Sequence, residues 1–250
     1  MSTRRSTVTI ELDQARLAGT LLMPGSTVPG VLFVHGWGGC QQHDLDKAQQ
    51  LAVLGCICLT FDLRGHEGTE EMRQTVSREQ NLRDVVAAYD LLVNQPHVDR
   101  SAIAVVGASY GGYLAALLSE LRPVKWLGLR VPALYKDADW NRPKRSLDRA
   151  ELIAYRSQPV AAEDNRALRA CSVFHGDVLV VQSEHDDLIA PATIVSYRNA
   201  FRQACSLTYR TIKGADHALS GDACRQAYTS LLLSWMTEMV FGARAGGRSA

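Results

Sequence analysis

The stretch Val105–Leu117, VVGASYGGYLAAL, changes rhythm in its middle. A short continuous apolar run ends at Gly107. Ser109 follows, fenced by Gly107, Gly111 and Gly112, and beyond it apolar residues return at helical spacing. G-x-S-x-G between a strand and a helix marks a sharp turn with a strained backbone. Its glycines leave room where side chains would collide, and the turn pushes the serine hydroxyl out of the sheet. The helix start adds free N–H groups and the positive end of a dipole. This context favours Ser109 as a nucleophile over a glycine-rich turn that merely contains a serine.

Outward from this turn, the same alternation fills the chain. GVLFVHG (30–36), CICLTFDLRG (56–65), KWLGLRVPAL (125–134), DVLVVQSEHDD (177–187) and LTYRTIKGADH (207–217) read as strands. LDKAQQLAVLG (45–55), SREQNLRDVVAAYDLLVNQ (77–95), PATIVSYRNAFRQACS (191–206) and DACRQAYTSLLLSWMTEMVF (222–241) read as helices. The pair Ser77 and Gln80 predicts a capping box at the start of the second of these. STVTIELDQ (6–14) and ARLAGTLLMP (15–24) predict an antiparallel start around a turn, and GARAGGRSA (242–250) predicts a frayed tail. Strands alternating with helices imply a mostly parallel sheet covered on both faces. Ligands then bind outside the carboxyl ends of the strands, so the polar residues just after each strand carry the functional question.

Three further strand ends answer it. After VLFV comes His35-Gly36-Trp37-Gly38-Gly39. A tetrahedral oxyanion needs two N–H donors. The amide of Tyr110, next to the nucleophile, is one candidate. The amide of Trp37, on this glycine loop, is the other, and its indole would wall the pocket. His35 is read as support for the loop rather than as a base. After VLVVQ comes Ser183-Glu184-His185-Asp186-Asp187, where a carboxylate to orient a catalytic histidine is expected. Local sequence physics does not separate Asp186 from Asp187. After LTYRTI comes Lys213-Gly214-Ala215-Asp216-His217. His217 follows the last strand and can reach back to a serine, while Asp216 reads as a local turn former.

Composition narrows the classes. The 250 residues suit one large domain, and 46% apolar content suffices for a sizeable core. Charge is balanced, 27 Lys+Arg against 26 Asp+Glu, which argues against a broad surface for nucleic acid or an anionic membrane. The arginines near the N-terminus are followed by no apolar h-region, so no secretory signal is read, and no apolar run is long enough to span a bilayer. The six cysteines form no dense framework and show no metal-type spacing. A reduced, cytoplasmic setting follows as the expectation.

VLFVHGWGG, FDLRGHEGT, VVGASYGGYLAA, VVQSEHDDLIAP and IKGADHAL together resemble the α/β-hydrolase superfamily, in family order and over nearly the whole chain. The resemblance is nearest to its dienelactone-hydrolase-like and prolyl-oligopeptidase-like small esterases. It implies one α/β-hydrolase domain over 1–250, with Ser109 as nucleophile, Asp186 as acid and His217 as base. Ser183 stands in the place of the family's glycine and Pro191 in that of its proline, which is why Asp186 is preferred to Asp187. Glu67 and Thr69 depart from the family's glycine and serine. Asp62, Arg64 and His66 are read as structural, with Glu67 near the pocket rim. No part of these residues corresponds to the β-propeller of prolyl oligopeptidases, which turns the expectation from peptides towards esters.

The resemblance also implies a small lid, residues 135–171, inserted before the acid-bearing strand. Tyr135, Trp140 and Tyr155 line a pocket or pack the lid down. Lys136, Arg142, Lys144 and Arg145 are balanced by Asp137, Asp139 and Asp148, so a mutually paired surface is favoured over a site for a substrate carboxylate. The implied activity is hydrolysis of a small-molecule ester through an acyl-enzyme, without metal or organic cofactor. Thioester, lactone or amide hydrolysis on the same triad, and a non-catalytic binding protein, are the alternatives.

Overall fold

A computed structural model describes residues 4–12, 15–23 and 28–246. Eight strands form one sheet: β1 (Arg4–Leu12), β2 (Ala15–Met23), β3 (Val28–Val34), β4 (Ile57–Phe61), β5 (Val98–Ala108), β6 (Trp126–Arg130), β7 (Asp177–His185) and β8 (Ser206–Asp216). Their spatial order is β1-β2-β4-β3-β5-β6-β7-β8. β2 runs antiparallel to both β1 and β4, and every other neighbouring pair is parallel. The turn expected between the first two strands falls at Asp13 and Gln14, outside the described residues.

The central strands read as unbroken apolar runs because both of their faces are buried. Alternate residues serve different cores. Leu32 and Val34 of β3 join Val105, Leu127, Leu129, Val178 and Val180 in one cluster. Val31 and Phe33 join Cys58, Ala104, Val106, Leu179 and Val181 in the other. The first cluster takes in α2 (Arg78–Val93), α3 (Tyr110–Leu121), α5 (Arg166–Ser172) and α6 (Pro191–Ala200). The second takes in α1 (Gln42–Val53) and α7 (Asp222–Gly246). Leu232, Trp235, Met236 and Val240 of α7 are buried there, so SLLLSWMTEMVF docks on the core.

The capping box at α2 forms in both directions. The Gln80 amide donates to Ser77 Oγ at 3.2 Å, and the Ser77 amide donates to Gln80 Oε1 at 2.9 Å. The helix α7 continues to Gly246, past the point where glycine content predicted fraying, and the last four tail residues lie outside the described residues.

Chain order sets the position of the site. From β3 the chain crosses to β4 on one side, then returns past β3 to β5 on the other. The switch point therefore lies between β3 and β5, where a crevice opens at the strands' carboxyl ends. The loop after β3 and the turn after β5 meet there. Between β6 and β7 lies the long insertion. It carries 3-10 turns at Asp137–Asp139, Lys144–Ser146 and Ala162–Asp164, the short helix α4 (Arg149–Arg156), and α5.

Candidate active site

The turn after β5 has the strain its sequence predicts. Ser109 takes φ 52° and ψ −114°, in the half of dihedral space that side chains avoid. Its backbone is clamped: its amide donates to Arg130 O at 2.9 Å, and its carbonyl accepts from Tyr113 and Ala133. The flanking glycines are obligatory. A Cβ on Gly107 would stand 2.4 Å from Gly111 O, and one on Gly111 would stand 2.0 Å from Val34 O.

His217 comes back over the sheet from the end of β8. Its Nδ1 lies 2.9 and 2.8 Å from the two oxygens of Asp186, and its Nε2 lies 3.0 Å from Ser109 Oγ. With the Nδ1 proton donated to the carboxylate, Nε2 is left to accept the serine proton. Asp186 also accepts the amides of Leu188 and Ile189, at 2.9 and 2.8 Å. Burial works to raise its pKa. The hydrogen bonds from His217 and these amides outweigh burial and hold the carboxyl below its usual range. Ser109, Asp186 and His217 thus stand in one hydrogen-bonded chain. Asp187 is exposed and His185 sits outside with Glu184, 3.7 Å away. The Asp216 carboxylate accepts the Ser220 amide and shapes the turn after His217. Ser183, in the glycine's place, is buried with an unpartnered hydroxyl.

The loop after β3 packs against Ser109. A Cβ on Gly36 would lie 3.4 Å from Ser109 Cβ. Gly39 N donates to Gly36 O at 3.0 Å, closing a turn over Trp37 and Gly38, and Gly38 supplies the required φ of 80°. Two histidines hold this loop. His35 is buried and its Nε2 accepts the Leu63 amide at 3.0 Å, so it supports the loop as predicted. His66 Nε2 accepts the Gly38 amide at 2.9 Å, and its ring meets Trp37 edge-on at 4.8 Å. Burial, reinforced by His35 nearby, pulls the pKa of His66 down to about 4, which keeps it a neutral acceptor. Among the described residues, the amides of Trp37 and Tyr110 donate to no protein group.

The segment between β4 and α2 is the scaffold of this loop. Asp62 accepts both the Gln41 amide and its side chain, at 2.7 Å each. Arg64 pairs with buried Asp84 at 3.0 Å, and Asn81 links Asp84, Arg64 O and the Tyr110 hydroxyl. Burial nevertheless pushes the Asp84 carboxyl above its usual range. Glu67 is exposed, with φ 43°.

Some contributors escaped the sequence reading. Arg130 donates to His217 O at 2.8 Å and anchors the histidine loop. A cation ending the buried strand WLGLR was the available signal. In the insertion, Tyr135 packs edge-on against Tyr110 and Tyr113, at 5.7 and 4.9 Å. Tyr155 accepts a bond from Asn165, and Trp140 is covered by Arg166. Lys136 pairs with Glu151 and Arg142 with Asp139, as a self-paired surface requires. Lys144 departs from that expectation: it turns inward, with Nζ 4.2 Å from the Trp37 ring centre and 5.0 Å from that of Tyr110.

Residues 43–242 match the model described as the Prolyl oligopeptidase family. No curated protein sequence matches. Among solved structures, a dienelactone hydrolase from Anabaena variabilis superposes with a TM-score of 0.69 at 20% identity, covering 94% of this chain and 98% of that one. Est1E from Butyrivibrio proteoclasticus, with ferulic acid bound, gives 0.74 at 18% identity, covering 93% and 99%. The Pyrococcus horikoshii acylaminoacyl peptidase gives 0.73 at 14%, covering 96% of this chain and 42% of that one. These likenesses establish the α/β-hydrolase fold. Among the described residues, no helix is long and apolar enough to cross a membrane.

Proposed function

Because the chain belongs to the prolyl oligopeptidase family and is a serine hydrolase, we propose that it cleaves carboxylic esters of small molecules through an acyl-enzyme on Ser109. The observation that carries this reading is the hydrogen-bonded chain from Ser109 Oγ through His217 to Asp186. His217 Nε2 takes the serine proton as Oγ attacks the ester carbonyl. The amides of Trp37 and Tyr110 hold the oxyanion, and Asp186 stabilises the imidazolium formed beside it. His217 then gives its proton to the departing alcohol, and water repeats the sequence on the acyl-enzyme. Residues 135–171 act as the lid of a single domain. The thiols Cys40, Cys58, Cys171, Cys205 and Cys224 support a cytoplasmic setting.

The family match favours a second reading, cleavage of an amide by the same residues. A p-nitrophenyl ester series set against aminoacyl p-nitroanilides separates the two. Fluorophosphonate labelling tests both. Ester turnover with labelling of Ser109 is expected. Turnover confined to the anilides would replace the ester reading, and an unlabelled Ser109 would remove both.

A further inference from the structure

Three cations converge around Tyr135. The guanidinium carbons of Arg78 and Arg156 lie 5.2 and 4.7 Å from its ring centre, and Lys144 Nζ lies 5.5 Å away. Tyr135 is itself buried, and Arg78 is fully so. Among the described residues, none of the three forms an ion pair with a carboxylate. Three carboxylates of the insertion are engaged elsewhere: Glu151 by Lys136, Asp139 by Arg142, and Asp137 by Arg166 and Arg169.

Their hydrogen bonding is also incomplete. Arg78 Nη1 donates to Lys136 O at 3.0 Å and reaches the Tyr113 hydroxyl at 3.5 Å. Arg156 Nε donates to Leu134 O at 2.9 Å. Arg78 Nε, Arg78 Nη2 and Arg156 Nη2 are buried without a partner. Ring stacking does not answer this need, because it covers the face of a guanidinium while its N–H donors lie in its plane. Buried donors and unpaired charge both call for an anion. Burial and the neighbouring guanidiniums lower the pKa of Lys144. Lys144 and Arg156 outweigh burial and lower that of the Tyr135 phenol. The Tyr135 hydroxyl, hydrogen-bonded to Lys144 and Arg156, partly offsets the fall at Lys144, and among the described residues no carboxylate joins it there.

The cluster reaches the residues that flank Ser109. Lys144 lies over the ring of Tyr110, the residue after Ser109, and over Trp37, whose loop packs on Ser109 Cβ. We propose that Arg78, Lys144 and Arg156 form a subsite for a carboxylate carried by the substrate, so that the preferred esters are anionic. Guanidinium forks match a carboxylate's two oxygens, and Lys144 adds a charge on the side facing Trp37. The proposal rests on Ser109 being the nucleophile.

The test is the ratio of kcat/KM between an anionic ester and its neutral match. One pair carries the charge on the acyl side, mono-p-nitrophenyl adipate against p-nitrophenyl heptanoate. The other carries it on the leaving group, 4-acetoxybenzoate against 4-acetoxybenzamide. A ratio of about tenfold or more is expected for at least one pair, expressed mainly in KM and falling as NaCl is raised. It should drop about tenfold in Lys144→Met and in Arg156→Met, and be retained in Lys144→Arg. A ratio of one or less in both pairs would overturn the subsite, as would a ratio unchanged in both Met variants. Should the variants fail to fold, adipate must slow fluorophosphonate labelling of Ser109 in the wild-type protein, and lack of protection counts against the subsite. Turnover of the neutral esters without anion preference would leave the hydrolase reading standing. Loss of neutral turnover and labelling together would strike that reading instead.

Discussion

Ser109 lies between two polar walls that differ in how their charges are settled. On the side of β7 and β8, Asp186 faces His217 and two amides, and Arg130 secures the carbonyl of His217. Asp186, His217 and Arg130 each have a hydrogen-bond partner there. On the side of the insertion, Arg78, Lys144 and Arg156 gather around Tyr135 with no carboxylate among them. A wall that is balanced internally can act on a neutral bond, since it develops charge only as the reaction proceeds. A wall left unbalanced spends its charge on whatever binds.

The sharpest way to break this comparison is at the balanced wall. Ser109→Ala is expected to cut ester turnover by about 10⁴-fold or more, leaving only what binding and the oxyanion donors provide. Thermal unfolding checks that the fold survives. Next comes the carboxylate. Asp186→Asn should cost about 10²–10⁴-fold in kcat by disturbing the tautomer of His217. Asp187→Asn, at an exposed residue, should stay within about twofold. A larger loss from Asp187→Asn than from Asp186→Asn would reassign the acid.

The two walls were unequally legible in the sequence. The balanced one sits at strand ends, where an apolar run stops and polar residues follow, so Ser109, Trp37, His217 and the pair Asp186 and Asp187 could be picked out by position. What separated Asp186 from Asp187 in space was the path of the chain after β7, where the Leu188 and Ile189 amides turn back onto one carboxylate. No local propensity encodes that. The insertion was harder, because its short helices and turns give no period. Lys144 read as one member of a basic run, KR, beside acidic neighbours. Its inward turn depends on a contact far away in sequence, the Lys144 amide donating to Val76 O at 2.8 Å. Arg78 was hidden as the first residue of a capped helix, and only the fold brings it to Tyr135.

A third prediction concerns the buried support beneath Tyr110. The Arg64–Asp84 pair is buried, and Asn81 ties it to the Tyr110 hydroxyl. Removing one partner leaves an uncompensated buried group, which typically costs about 3–5 kcal/mol. Arg64→Met should therefore lower the unfolding midpoint by roughly 10 °C in a chain of this size. Asp84→Asn should cost less, since burial already pushes that carboxyl towards its neutral form. A midpoint unchanged in Arg64→Met would mean that the pair does not hold the loop.

The smallest expected effect is a pH dependence that belongs to the loop after β3 alone. An imidazole in the unfolded chain takes up its proton near pH 6.5, while folded His66 does so only near pH 4. Between these values the unfolded state binds more protons, so stability falls as the pH is lowered through this window and is fully present above it. Protonation puts a second donor against the Gly38 amide and loosens the turn that carries Trp37. Asp186 acts in a different window. Its folded pKa is depressed, so its contribution persists until the pH drops below the ordinary carboxyl value of 3.8. The unfolding midpoint, followed from pH 7 to 4, should thus decline mainly through buried histidine. His66→Gln keeps an oxygen acceptor for Gly38 but cannot titrate, so its decline should be visibly shallower, with the remainder coming from His35, whose pKa burial also lowers. An equal slope in the variant would show that His66 does not set the acid limit of the loop.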